Sequence, residues 1–68
     1  MADISKFLDK AYVDKELSEI ADAPVDALKG VSEGDAVHLQ EAFNIKTIRD
    51  LAEHRFVRWA QAITTLAD

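Results

Sequence analysis

Apolar residues recur at helical spacing along almost the whole chain, and no stretch reads as an alternating strand. Ile4, Phe7, Leu8, Ala11 and Tyr12 follow the i, i+3, i+4, i+7, i+8 pattern, with Lys6, Asp9 and Lys10 opposite them. This predicts a first helix over 3–13, with Asp3 or Ser5 near its cap. A short second helix is expected over 14–21, capped by Asp14, with Leu17, Ile20 and Ala21 on one face. Pro24 suits a first helical turn, because its missing N–H has no partner there in any case. Residues 24–29 therefore read as a third short helix, carrying Val25 and Leu28 inward and ended by Gly30.

The second half carries stronger punctuation. Ser32 and Asp35 form a capping-box pattern that predicts a helix over 33–43, with Ala36, Leu39, Ala42 and Phe43 on one face. Asn44 can take the left-handed conformation that stops it. Thr47 and Asp50 repeat the pattern before a helix at 48–53, with Ile48, Leu51 and Ala52 inward. The chain either breaks near His54 or runs on. A last helix over 55–67 places Phe56, Trp59, Ala60, Ile63, Leu66 and Ala67 on one stripe. The expected architecture is all-α: a compact bundle of five to six short helices, one domain over 1–68. Its expected core is Phe7, Leu8, Leu17, Ile20, Leu28, Val31, Leu39, Phe43, Ile48, Leu51, Phe56, Ile63 and Leu66.

Composition narrows the class. The 68 residues are 49% hydrophobic, but 11 are alanine, so few large side chains remain to build a core. A domain this small buries only about 60% of its unfolded surface and is marginally stable. Two glycines and one proline argue against disorder. The chain has no cysteine, hence no disulfide framework, thiolate metal site or thiol nucleophile. No apolar run reaches the ~18 residues of a membrane span, and the start Met1-Ala2-Asp3 lacks the basic-then-apolar pattern of a signal peptide. A cytoplasmic protein that spans no membrane is expected.

One local pattern says more than periodicity does. Leu28, Gly30, Val31 and Ala36 join two short helices through a tight turn. Leu17, Ile20 and Ala27 lead into it, and the run Ala42-Phe43-Asn44-Ile45-Lys46-Thr47-Ile48-Arg49-Asp50-Leu51-Ala52 follows. Residues 16–53 resemble a degenerate helix-hairpin-helix domain, whose pattern Leu-Pro-Gly-Ile-Gly precedes a helix with an alanine near its start. The resemblance implies phosphate contact by backbone N–H groups at the hairpin and by nearby cations. Here that means Lys29, Gly30 and Ser32, with Lys46 and Arg49 beyond. This chain departs from the pattern: Ser32 replaces the second glycine, and Glu33 and Asp35 stand where a phosphate would sit. Each carboxylate repels a phosphate by about 1 kcal/mol even in a water-like dielectric.

Charge is uneven. The net charge is −5, with 13 acidic against 8 basic residues. All four cations beyond residue 42, Lys46, Arg49, Arg55 and Arg58, fall in a C-terminal part that holds only Asp50, Glu53 and Asp68 as acids. That part could meet an acidic partner or nucleic acid, or simply face solvent. Overall acidity disfavours nucleic acid. No reaction constellation stands out. His38 and His54 are too far apart to share a helix face, His38 with Glu41 supplies only two possible metal ligands, and no serine or threonine has a recognisable base beside it. No enzyme activity, metal or cofactor is expected. Trp59, beside Arg55 and Arg58, is either core or an interface anchor, since Trp and Arg are enriched at binding hot spots. Val57 and Val13 fall off their stripes and would add to an exposed apolar patch. The leading expectation is a small non-catalytic domain that binds a protein partner or itself through Arg55, Phe56, Val57, Arg58 and Trp59. Weak, non-specific nucleic-acid binding through the hairpin and the basic cluster is the alternative.

Overall fold

A computed structural model describes residues 3–68; Met1 and Ala2, part of the polar start read from the sequence, lie outside it. Four α-helices form: α1 (Leu17–Ala21), α2 (Glu33–Phe43), α3 (Ile48–Glu53) and α4 (Arg55–Ala67). Three single 3-10 turns, Ser5–Phe7, Lys10–Tyr12 and Val25–Ala27, stand where further helices were expected. The fold is compact and helical, with no strand among the described residues.

Local signals in the second half decide local structure. Ser32 Oγ accepts from the Asp35 N–H at 3.0 Å, and the Asp35 carboxylate accepts from the Ser32 N–H at 3.1 Å. This closes a capping box that satisfies two of the donors a helix start leaves free. Asn44, at φ 58°, ends α2. Thr47 and Asp50 make the same box on α3 at 3.0 and 3.1 Å. The chain does break at His54, whose φ of −63° and ψ of 130° end α3 and begin α4.

The first third departs from the expected helix over 3–13. Leu8 is extended, at φ −125° and ψ 151°, and forms an isolated antiparallel bridge with Leu28. The Asp9 N–H donates to the Ala27 carbonyl at 2.9 Å, and the Lys29 N–H to the Phe7 carbonyl at 2.8 Å. An eleven-residue helix is marginal on its own. Here long-range backbone bonds, together with burial of Leu8, replace it. Helix α1 likewise begins at Leu17 after Glu16, with no cap from Asp14. Pro24 precedes a single 3-10 turn in place of a helix over 24–29, and Gly30 follows at φ 99°, where only glycine is unstrained.

The core gathers on this irregular segment. The Val25 N–H donates to Lys46 at 2.9 Å and the Ile48 N–H to Ala23 at 3.1 Å, so residues 23–28 are pinned on one side by 7–9 and on the other by 46–48. The buried residues are Leu8, Ile20, Ala23, Val25, Ala27 and Ile45, with Val25 wholly enclosed. Ala23, Val25 and Ala27 turn inward with period two, with Pro24 exposed and Asp26 half-buried between them. Ile45 turns inward directly after the left-handed Asn44, the usual place for an apolar residue behind such a stop.

Of the expected core, Leu8 and Ile20 are buried, and Leu28, Val31, Leu39, Ile48 and Leu51 are half-buried. Phe7, Leu17, Phe43, Phe56, Ile63 and Leu66 are exposed. The molecule measures 35 × 33 × 19 Å. A helix with its side chains is about 10 Å across, so the short dimension holds two layers and no third. Outer apolar faces have nothing above them.

Candidate interaction site

Helix α4 is built to stand away from the core. His54 Nδ1 accepts from the Phe56 N–H at 3.2 Å, capping the helix that follows the break. The helix packs mainly on α3. Val57 is half-buried and lies across the helix from the apolar stripe, so it does not join the exposed patch as expected. The stripe itself faces outward: Phe56 is 47% exposed, Trp59 58%, Ile63 67% and Leu66 87%.

At its base the stripe joins an aromatic cluster. The Phe43 ring stands 5.2 Å from His54 and 5.9 Å from Phe56, both edge-on, and Phe56 lies 5.7 Å from Trp59. These separations suit edge-to-face attraction, which fixes the rings without covering them. The Arg55 guanidinium lies 5.1 Å from the centre of the Phe56 ring, a cation–π contact that leaves its charge at the rim. Arg55, Arg58 and Trp59 border an open depression with Glu53 and Ala62. Four of the five residues expected to bind a partner, Arg55, Phe56, Arg58 and Trp59, thus share one surface, and Val57 does not. Phe43, Ile63 and Leu66, expected in the core, are exposed here. The 3-4-3 spacing of Phe56, Trp59, Ile63 and Leu66 is the available signal, since it is the spacing of a helix-pairing seam.

The residues of the alternative site are arranged otherwise. Gly30 and Ser32 precede α2, where the Asp35 carboxylate already accepts the Ser32 N–H. Lys46 precedes α3, and its N–H and that of Thr47 both donate to Asp50 at 3.1 Å. The Ser32 bonds hold the Asp35 carboxyl below its ordinary range, and the Lys46 and Thr47 N–H groups do the same for Asp50. Arg49 Nε is tied to Asp22 at 2.8 Å, which raises the guanidinium's already high affinity for its proton. Lys29 is exposed. The Ser32, Lys46 and Thr47 N–H groups are thus shared with internal carboxylates, and the Lys29 N–H is taken by the Phe7 carbonyl.

His38 borders a second open groove on α2, of about 470 Å³, with Val31, Asp35, Leu39, Ala42 and Phe43. Among the described residues no group of three His, Cys, Asp or Glu side chains could hold a metal ion, and no helix is long and apolar enough to cross a membrane. Comparison with family models, curated proteins and solved structures finds no match to this chain.

Proposed function

We propose that this chain is a small non-catalytic protein-interaction domain whose docking surface is the outward face of α4. One observation carries the reading. The strongest apolar stripe in the molecule, with its only tryptophan, is exposed from Phe56 to Leu66. Scattered exposed apolar residues are normal; a contiguous set with an aromatic centre and an arginine rim has the composition of a binding hot spot. In this reading residues 16–53 are a degenerate helix-hairpin-helix unit serving as the scaffold that presents α4. Gly30 at positive φ before the capped start of α2 supports that resemblance. A cytoplasmic setting belongs to the same reading.

The test is retention of protein on the immobilised chain, offered either free copies of itself or an extract of its source cell. The wild type should retain protein that resists high salt, as an apolar contact does. Trp59→Ala should lose it while keeping the wild-type far-ultraviolet dichroism. Equal retention by both chains would sink the reading.

A further inference from the structure

We infer that the occupant of the α4 face is a second copy of this chain, paired antiparallel along Phe56, Trp59, Ile63 and Leu66. This rests on the interaction reading above and adds the identity of the partner. Three observations carry it.

The first is area. The chain exposes 5416 Å². A compact monomer of 7.6 kDa exposes about 4,300 Å², so the excess is about 1,100 Å². Each partner in a standard interface covers about 800 Å². The surplus surface is of the size that one stable pairing removes.

The second is spacing. Residues 56, 59, 63 and 66 repeat at intervals of three, four and three, the a and d positions of two heptads. Helix α4, with 13 residues, is about 20 Å long and offers two layers of such knobs. Set antiparallel about a twofold axis near Gln61, Phe56 meets Leu66 of a second copy and Trp59 meets Ile63 of a second copy. A twofold pair uses one surface twice, so a self-complementary seam suffices.

The third is charge. Helix α4 carries Arg55 and Arg58 in its first turn, no acid there, and Asp68 just past its last. Cations at a helix start oppose the macrodipole. An antiparallel mate brings its carbonyl-rich last turn and Asp68 beside Arg55, which relieves this; a parallel mate would set Arg55 against Arg55. Beyond its first turn the polar side of α4 is Gln61, Thr64 and Thr65, and both threonine hydroxyls donate to carbonyls one turn back at 2.9 Å. A helix lying on an anionic membrane carries a lysine- or arginine-rich polar face. This one carries only Arg55 and Arg58, both in its first turn, and the chain's net charge of −5 repels such a surface.

Sedimentation equilibrium of the full chain over a wide concentration series tests this. The mass should rise from one chain towards two. Ile63→Glu, and separately Leu66→Glu at the far end of the seam, should weaken the dimer at least tenfold while leaving the helical dichroism of the monomer unchanged. Arg55→Glu should weaken it severalfold, because a carboxylate then faces Asp68; a strengthened dimer would overturn the antiparallel arrangement. A monomer at every concentration overturns the second-copy inference. In that case Ile63→Glu is compared with wild type for retention of extract proteins. A difference leaves the interaction reading standing with another partner, and equality removes both. Monomer binding to phosphatidylserine vesicles or to a short mixed-sequence DNA duplex would likewise overturn the inference, and would assign the face to a membrane or to nucleic acid.

Discussion

Residues 23–28 and helix α4 invert what their sequences suggest. The first is a short run of small residues around a proline, with one 3-10 turn and no α-helix. It nonetheless holds Ala23, Val25 and Ala27, three of the six buried residues among those described. The second is the longest helix, with the clearest apolar stripe, and none of its residues is buried. Burial here follows from position. Residues 23–28 are bonded on both sides by chain from distant parts of the sequence, whereas α4 has α3 on one side, Phe43 at its base and solvent along the rest. Amphipathic spacing shows that a face is apolar. What covers it depends on the remaining elements, and in a molecule two layers thick they run out.

This contrast can be broken most forcefully at Val25, which has no exposed surface. Val25→Asp places an unpaired carboxylate in the core and should leave the chain unfolded, because the cost rivals the total stability of a small domain. Val25→Ala removes two methyl groups and leaves a cavity, so it should cost about 2 kcal/mol in urea denaturation. Leu66→Ala removes more apolar volume from a residue that is 87% exposed. At concentrations where the chain is monomeric it should change stability by less than about 0.5 kcal/mol. A Leu66 effect as large as that of Val25 would mean that α4 is part of the core.

The capping boxes contribute on a smaller scale. Thr47→Ala removes the side chain that accepts the Asp50 N–H and should cost about 1 kcal/mol, read from the same urea midpoints. Asp35 and Asp50 are held below the ordinary carboxyl value of 3.8 by the N–H groups they accept. Their folded values lie under their unfolded ones, so their contribution is complete above pH 3.8 and drains away as pH falls through the depressed values. The urea midpoint should therefore drop on acidification below about pH 4. The Asp35→Asn, Asp50→Asn double variant should show a shallower drop. The exposed Asp22–Arg49 pair bridges α1 and α3 at 2.8 Å. Asp22→Ala should have the smallest effect of the set, and added salt should shrink it further.

The parts legible in the sequence are those decided within a few residues. The bounds of α2 and the start of α3 follow from Ser32 with Asp35, from Asn44, and from Thr47 with Asp50, all of which act on adjacent backbone; the break at His54 between α3 and α4 has no such signal and stays open in the sequence. Residues 3–13 and 24–29 form 3-10 turns in place of the expected helices because their structure is set by the Leu8–Leu28 and Pro24–Thr47 bridges, which span 20 or more residues and leave no local mark. For the site, Arg55, Phe56, Arg58 and Trp59 were legible as an aromatic and basic cluster. That Ile63 and Leu66 extend it was not, because a seam for a second molecule and a seam for one's own core have the same spacing.

The α4 stripe is a surface, and residues 23–28 hold the core. Urea midpoints of wild type, Val25→Ala and Ile63→Glu, each followed across protein concentration, test this most directly. Binding that favours the folded state makes the midpoint concentration-dependent. The wild-type midpoint should climb with concentration. That of Ile63→Glu should stay flat and meet the wild-type value in the dilute limit, while that of Val25→Ala should lie lower throughout. A concentration-independent wild-type midpoint, with Ile63→Glu as damaging as Val25→Ala in dilute solution, would contradict the account.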